Sequence, residues 1–497
     1  MKYSSILKRD YPSVLIHERR KSARMNPGNM GDIRTMFSLA KQRRGPHALN
    51  ALLYIHRSQG TEHLVRECGH SAKDWKVRSA GKMLAHLEIK HFVSNINDPG
   101  HKPLVEMLPK SELHYHLDGG VNPATILDEA QRLSIDLRSF TSRLRAGYTT
   151  DDIRKIVSMQ PGERFNASDF GSFLTDKFLL PLKVMQTPES LERISYEAIL
   201  NAYNDGILHR EIIFAPCLHT EKGLNYDDVI DAVVAGLLRG QAEFGVSSSI
   251  RPSIFRDKVE VKELHDHPLQ TVQSILRAQK RYQGKMIIGL DLVGHEASFP
   301  PQDERYKTAF ALANNERVPM SLHAGEMKGT RDNVFTIVNS LEASRVGHGI
   351  HVMDKPLSNL NWLDLKNITF EVCPTSNFRL GNILGEMNTH PILGMMRSGL
   401  NVTVNTDNPT VFGITLSEEF ENMEREMDFR IFSLNTQQLE RSLETLLAPK
   451  VSGDYRKLQQ NALRAAFVSE MRREQLQVEF KGYYHVINAI AQILAPL

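Results

Sequence analysis

From residue 104 onward, short apolar runs alternate with longer segments whose apolar residues recur at helical spacing. The short runs predict eight strands, at 112–117, 210–216, 247–254, 286–294, 318–326, 344–349, 368–374 and 401–407. The longer segments predict helices, including those at 188–206, 226–244, 264–283, 302–316 and 331–342. Strand–helix alternation favours parallel strands joined by crossover helices, and eight units over about 300 residues fit a closed (β/α)8 barrel of the TIM type.

The first 103 residues do not share this pattern. They are basic, with helical spacing only in pieces such as 72–96, and they end in the turn-rich segment NDPGHKP at 97–103. We therefore expect two regions. Residues 1–103 form an N-terminal, mostly helical basic extension, and residues 104–497 form the barrel domain.

The distribution of charge also separates the two regions. Residues 1–102 carry 19 Lys and Arg against 8 Asp and Glu, whereas the rest of the chain carries 42 against 50. A basic segment of this kind can bind nucleic acid, an anionic surface or the acidic body of its own chain. No nucleic-acid module is recognisable in it, which favours packing on the body. Nucleic-acid binding through residues 1–102 stays open as the less favoured alternative.

Composition is that of a soluble globular protein, with 41% apolar and 24% charged residues. No apolar run approaches the roughly 18 residues that a membrane span needs, and the first residues lack a secretory signal. The three cysteines, Cys68, Cys217 and Cys373, are too few and too far apart for a disulfide framework. These features predict a cytoplasmic protein without a membrane partner, and they leave the oligomeric state open.

The first predicted strand carries the sequence SELHYHLDGG at 111–120. Alternate side chains of a strand point to the same face, so His114 and His116 lie side by side. Two neighbouring imidazoles can share one ligand. On this stretch alone, a polar strand end with two solvated histidines is an equally good interpretation.

Other polar residues also fall where predicted strands end. His323 and Glu326 belong to HAGE, His348 to VGHG and Asp407 to NTDNP. In a barrel the carboxyl ends of all strands meet at one mouth, where active sites are built. We therefore expect these side chains to converge with the two histidines of the first strand.

Three imidazoles and a carboxylate are a ligand set that suits zinc, although iron or another borderline ion is possible. The proposed ligands are His114, His116, His323 and Asp407. His348 is better placed as a base for a water molecule or as the group that orients it. Glu326 lies three residues beyond a ligand, so its carboxyl can reach a substrate atom and pass it a proton.

The chain resembles the adenosine deaminase family of metal-dependent aminohydrolases over about residues 105–480. The resemblance rests on LHYHLDGGVNPATIL, GLDLVGHE, SLHAGE, RVGHGIH, EVCPTSN and VNTDNP. It implies a barrel with one zinc ion. It also implies hydrolytic removal of the 6-amino group of a purine nucleoside, with release of ammonia.

The resemblance also implies roles for individual residues by their motif positions. The four proposed ligands would hold the zinc ion, Glu326 would protonate purine N1, and His348 would orient the attacking hydroxide. Gly294 would offer its backbone to the purine, and Asp118 would lie near the ribose hydroxyls. The cytidine-type deaminase pattern, H-x-E with P-C-x-x-C, is absent from the sequence.

Two positions depart from the family pattern. Asn408 stands where the family has the second Asp of T-D-D-P, which hydrogen-bonds purine N7, and an amide nitrogen can still donate to N7. Ile213 stands where the family often has Arg, which removes a charge near the site. The first 103 residues have no counterpart in compact family members.

The leading hypothesis is a zinc-dependent hydrolase of purine metabolism that deaminates adenosine or 2′-deoxyadenosine to inosine or deoxyinosine. One alternative is a deaminase of another 6-aminopurine, such as adenine, a 5′-modified adenosine or an N6-substituted AMP. A second is a catalytically degenerate barrel that binds purines.

Overall fold

A computed structural model describes residues 105–494, with the exception of 107, 166–169, 257–266 and 435–448. The predicted basic extension lies outside these residues, and the boundary near residue 103 stays a prediction. The chain divides into two compact units, of which one comprises residues 109–433 and 451–478. That unit contains the barrel.

Eight strands build the barrel, and each overlaps one of the eight predicted strands. They are β1 (Lys110–His116), β2 (Ile207–Phe214), β3 (Ser247–Phe255), β4 (Asp291–Val293), β5 (Ser321–Ala324), β6 (Arg345–His348), β7 (Thr369–Val372) and β8 (Asn401–Val404). Two further short strands are β9 (Phe432–Leu434) and β10 (Pro449–Val451).

The eight strands run parallel in sequence order and close on themselves. Hydrogen bonding links β1 to β4 in one series and β5 to β8 in another. A parallel bridge between Leu290 and Met320 joins β4 to β5, and one between Tyr115 and Asp407 joins β8 to β1. The amide of His116 donates to the carbonyl oxygen of Asp407 at 2.8 Å across this second junction. The predicted closed barrel is therefore confirmed.

Fifteen helices are described along the chain. They are α1 (Pro123–Arg132), α2 (Thr150–Val157), α3 (Phe170–Val184), α4 (Pro188–Asn204), α5 (Tyr226–Phe244), α6 (His267–Arg281), α7 (Glu304–Asn315), α8 (Arg331–Asn339), α9 (Asn359–Leu365), α10 (Pro374–Arg379), α11 (Ile392–Arg397), α12 (Pro409–Phe412), α13 (Leu416–Glu426), α14 (Gly453–Ala465) and α15 (Glu470–Leu494). In the described part of the chain, none of them is both long and apolar enough to cross a membrane.

Local sequence signals set several helix boundaries. Asn225 caps α5 by accepting a hydrogen bond from the amide of Asp228, and Gly245 ends the helix at a φ of 70°. The predicted bounds of this helix are therefore confirmed at both ends. Helix α3 continues through Pro181, although proline normally interrupts a helix.

The barrel interior holds paired charges as well as apolar side chains. Arg345 and Glu371 are both buried, and Arg345 Nε lies 2.8 Å from Glu371 Oε1. Glu211 is also fully buried and contacts Arg345. A buried charge without a partner is costly, so these side chains tie the strands together below the mouth of the barrel.

Candidate active site

A cavity lies at the carboxyl ends of the barrel strands. Eight of the predicted site residues line it, namely His116, Asp118, Gly294, His323, Glu326, His348, Asp407 and Asn408. The ninth, His114, is fully buried, with its ring centroid 4.5 Å from that of His323 and 4.8 Å from that of His348. The structure therefore brings all nine residues together, although they span almost 300 positions of the sequence.

Backbone conformation helps to direct these side chains at the strand ends. His348 has a φ of 60° and Asp407 a φ of 63°, which are unusual values for residues with a side chain. Such strain persists where the surrounding structure imposes it, and it concentrates at functional sites. Gly294 lines the cavity with a φ of 108°, a conformation that only glycine adopts readily.

Three histidines and an aspartate form a candidate metal centre. His116 Nε2 lies 3.2 Å from His323 Nε2 and 3.2 Å from Asp407 Oδ1. His114 Nε2 lies 3.6 Å from the same Asp407 oxygen and is buried without a hydrogen-bond partner. An orphaned imidazole nitrogen beside two further imidazoles and a carboxylate is the donor set that zinc prefers. These residues therefore fit the metal ion that the sequence predicted.

A second group of possible ligands shares one histidine with the first. His114, His348 and Cys373 offer atoms that all lie within 4.8 Å of one another. Burial raises the pKa of the Cys373 thiol well above its usual value. Since the thiolate is the form that binds metal, this group fits a cation less well than the first.

Two buried carboxylates contact the Nδ1 atoms of two of these histidines, on the side of the ring opposite to the metal-binding Nε2. Glu371 Oε2 lies 2.9 Å from His114 Nδ1, and Asp291 Oδ1 lies 2.9 Å from His323 Nδ1. A carboxylate accepts the Nδ1 proton of a histidine and leaves Nε2 free to bind a metal ion. Sequence reasoning assigned no role to either acid, although each stands as a single charge within an apolar strand run (ITFEVCP and MIIGLDLVG).

Glu326 has the environment of a general acid. Burial, with the nearby negative charges of Asp407 and Glu296, raises the pKa of Glu326 to about 8. Its carboxyl is therefore protonated at neutral pH and can donate a proton. Glu296 fixes its position, because it accepts from the amides of Gly325 at 2.7 Å and Glu326 at 3.0 Å. The Asn382 amide donates to Glu326 Oε1 at 3.3 Å.

A hydrogen-bond chain of defined direction sets the tautomer of His348. The amide of Ile392 donates to His390 Nδ1 at 3.1 Å, so the neutral ring of His390 carries its proton on Nε2. That nitrogen lies 3.3 Å from Asn377 Oδ1, and the Asn377 amide nitrogen lies 3.1 Å from His348 Nδ1. Burial lowers the pKa of His348 well below its usual value.

His348 is therefore neutral and accepts at Nδ1, so its proton lies on Nε2, which lies 3.8 Å from Glu326 Oε2. In this tautomer the ring donates a hydrogen bond into the cavity. Of the two functions predicted for His348, this arrangement favours orientation of a water molecule over removal of its proton.

The remainder of the cavity wall is mostly apolar. Its apolar lining includes Phe173, Phe178, Leu182, Phe214, Leu218 and Leu380. Its polar groups other than those above are Asp118 and Asn408. Asn408 Oδ1 is buried without a hydrogen-bond partner. Among the described residues that line the cavity, none is a lysine or an arginine.

The amino-acid sequence matches a known protein family and two of its members. The family model described as adenosine deaminase matches residues 109–444. Adenosine deaminase from Enterococcus faecalis is 35% identical over 316 residues, which are 64% of this chain and 85% of that protein. Adenosine deaminase from Clostridium botulinum is 31% identical over 385 residues, which are 77% and 98%.

The fold is similar to that of a solved structure. A zinc-bound amidohydrolase from Burkholderia ambifaria superposes with a TM-score of 0.61 at 22% identity. The match covers 79% of this chain and 94% of that chain.

Proposed function

We propose a substrate and a reaction for this chain, which belongs to the adenosine deaminase family of metal-dependent hydrolases. It converts adenosine or 2′-deoxyadenosine to inosine or deoxyinosine and releases ammonia. The family predicted from sequence motifs is confirmed, and deamination of an adenosine-like purine follows from it. The observation that carries the finer proposal is that one cavity holds the buried carboxyl of Glu326, a histidine-rich metal centre and the carboxyl of Asp118, which can accept hydrogen bonds from a ribose.

The family cofactor is zinc, and the donor atoms of this chain fit it. The ligands in this proposal are His114, His116, His323 and Asp407. When bound, zinc supplies a Lewis acid that lowers the pKa of a water molecule and makes it a nucleophile near neutral pH. The neighbouring imidazoles of His114, His116 and His348 hold the pKa of Asp407 far below its usual value against the effect of burial, so it contributes a negative charge.

The side chains of this cavity supply the remaining steps. The Nε2 proton of His348 orients the attacking water oxygen toward C6 of the purine. As the C6–O bond forms, the carboxyl of Glu326 gives its proton to N1, and C6 becomes tetrahedral. The C6–N bond then breaks as the C6–O bond becomes a carbonyl, and ammonia leaves. The two protons of the attacking water molecule balance the reaction, because one completes the ammonia and the other restores the carboxyl of Glu326. Water exclusion by the apolar wall strengthens each of these interactions.

The charge of the cavity supports a nucleoside over a nucleotide. Phosphate binding normally uses arginine, lysine or a helix N-terminus, and the described lining offers no basic side chain except histidine. Burial raises the pKa of Asp118 to about 6, so this acid is ionised at neutral pH. It can accept hydrogen bonds from ribose hydroxyls, and it would repel a phosphate. The apolar wall also suits a 5′-modified adenosine such as 5′-methylthioadenosine, which is the second candidate.

Ammonia release across a substrate panel tests the proposal. The panel contains adenosine, 2′-deoxyadenosine, 5′-methylthioadenosine, adenine, AMP and N6-methyl-AMP, with zinc content measured in parallel. We expect kcat/KM for adenosine to exceed that for AMP by about 100-fold. This ratio corresponds to about 2.8 kcal/mol of binding free energy lost because the phosphate meets no basic side chain except histidine and lies near Asp118. Preference for adenine or for either nucleotide would contradict the proposal. Zinc binding without turnover of any compound would indicate the degenerate barrel instead.

Asn408 is expected to donate its amide hydrogen to purine N7. Replacing it with alanine removes one neutral hydrogen bond, so we expect kcat/KM for adenosine to fall about fivefold to tenfold. For 7-deazaadenosine, which has no N7 acceptor, Asn408→Ala should change kcat/KM little. The measurement is kcat/KM of the wild type and of Asn408→Ala, each with adenosine and with 7-deazaadenosine. Equal losses for the two substrates would show that Asn408 does not contact N7.

The cytoplasmic location and the role of residues 1–102, including the nucleic-acid alternative, stay predictions.

A further inference from the structure

Arg251 lies inside the barrel on β3, and its side chain is fully buried. One guanidinium nitrogen lies 2.9 Å from Glu371 Oε2, and the other lies 3.3 Å from Asp291 Oδ2. The guanidinium also donates to the carbonyl oxygen of Leu113, the residue before His114. Its Nε also lies 3.7 Å from Glu211 Oε2. Arg251 therefore contacts three acids and the strand that carries the first proposed ligand.

Two of the three acids that Arg251 contacts, Glu371 and Asp291, orient histidines of the candidate metal centre. Glu371 Oε2 lies at 2.9 Å from both Arg251 and His114 Nδ1. Asp291 contacts Arg251 through one oxygen and His323 Nδ1 through the other, at 2.9 Å. One rigid, planar cation thus fixes two carboxylates, on β7 and β4, and through them two imidazoles, on β1 and β5.

Strand register explains why this arginine stands on β3. Arg251 pairs with Ile213 in the parallel ladder between β2 and β3. Ile213 is the position where the resemblance described under sequence analysis implies arginine in the family pattern. Residues that pair in adjacent parallel strands point to the same face, so both positions place a side chain at one level of the barrel interior. The positive charge that the family pattern implies at Ile213 on β2 is therefore supplied by Arg251 on β3.

We propose that Arg251 is a positioning residue for the metal centre, which holds Glu371 and Asp291 so that His114 and His323 present Nε2 to the metal ion. The inference rests on the proposed function in taking these histidines as zinc ligands. A merely structural ion pair would support folding without any influence on zinc affinity, and this difference can be measured.

The test measures zinc affinity by competition with a chromophoric chelator, and melting temperature with and without zinc. For Arg251→Met we expect zinc binding to weaken about 10-fold to 100-fold, as is usual when a group that orients metal ligands is lost. Arg251→Lys keeps a charge without the planar fork, so we expect a smaller loss. In the double variant Ile213→Arg/Arg251→Ile, zinc affinity should recover relative to Arg251→Ile alone.

The matched control is Arg193→Met. Arg193 forms ion pairs with Asp128, Glu129 and Glu197 away from the cavity, so its loss should lower the melting temperature and leave zinc affinity unchanged. Wild-type zinc affinity in Arg251→Met would overturn the inference. If that variant does not fold, wild-type affinity in Arg251→Lys, or a double variant no better than Arg251→Ile, overturns it. No zinc binding by the wild-type chain would instead count against the proposed function.

Discussion

Replacing Glu326 with glutamine is expected to lower kcat for adenosine by about 10²- to 10⁴-fold, the range that positioned general acids contribute. The amide has nearly the shape of the carboxyl, but it has no acidic proton to give to N1. Glu326 is not a proposed ligand, so the variant should keep one zinc ion per chain. The measurements are kcat by ammonia release and zinc content by metal analysis.

The pH dependence follows from the same proton. The pKa of Glu326 is raised, so its acid form is present at neutral pH and is lost as the pH rises through that pKa. Wild-type kcat/KM should therefore decline on the alkaline side, because the free enzyme loses the proton that it must donate.

Glu419 provides a matched control for Glu326. It is also fully buried, and burial raises its pKa to about 8, but it does not line the cavity. In Glu419→Gln the side-chain oxygen can still accept from the amide of Thr375, as Glu419 Oε1 does at 2.7 Å. We expect kcat to stay within about threefold of the wild type. If Glu326→Gln were as active as Glu419→Gln, Glu326 would not be the general acid.

The elements that sequence reasoning located are those with local signals. The helix predicted at 226–244 has those bounds, because an Asn225 cap begins it and Gly245 ends it. The strand ends were found because polar residues interrupt apolar runs there, as at His323 and Asp407. Convergence of these ends then follows from the barrel architecture alone.

The residues that hydrogen-bond to the site histidines from outside the cavity could not be predicted in this way. Glu371 contacts His114 from 257 positions away, and only barrel closure and strand register decide that pairing. The tautomer of His348 likewise depends on Asn377 and His390, which belong to separate later segments. A buried acid inside an apolar strand signals that a partner exists, but the sequence does not say which residue it is.

The sequence also could not predict that Arg251 supplies the positive charge that the family pattern implies at Ile213. Arg251 follows three serines and an isoleucine, a context that gives no sign of a barrel-interior position. Its relation to Ile213 appears only in the register between β2 and β3.

Removal of a proposed metal ligand should have the largest effect of all. In His323→Ala, we expect zinc content to fall well below one ion per chain and kcat to fall by at least about 10³-fold, because the water molecule loses its activation. His323 contributes one of the three imidazole nitrogens of the proposed donor set, so two histidines and one carboxylate leave the site one ligand short. Metal analysis and ammonia release measure the two losses.

The melting temperature gives a readout that does not depend on catalysis. A ligand at 100 times its Kd stabilises the folded state by about 2.7 kcal/mol, so zinc should raise the melting temperature of the metal-stripped wild type and leave that of His323→Ala unchanged. The matched control is His219→Gln. His219 is fully buried in the short 3-10 helix after β2, where its Nδ1 lies 3.1 Å from the carbonyl oxygen of Met185, and it does not line the cavity. That variant should keep its zinc and most of its activity. If zinc stabilised His323→Ala as strongly as the wild type, His323 would not be a ligand, and the proposed donor set would be wrong.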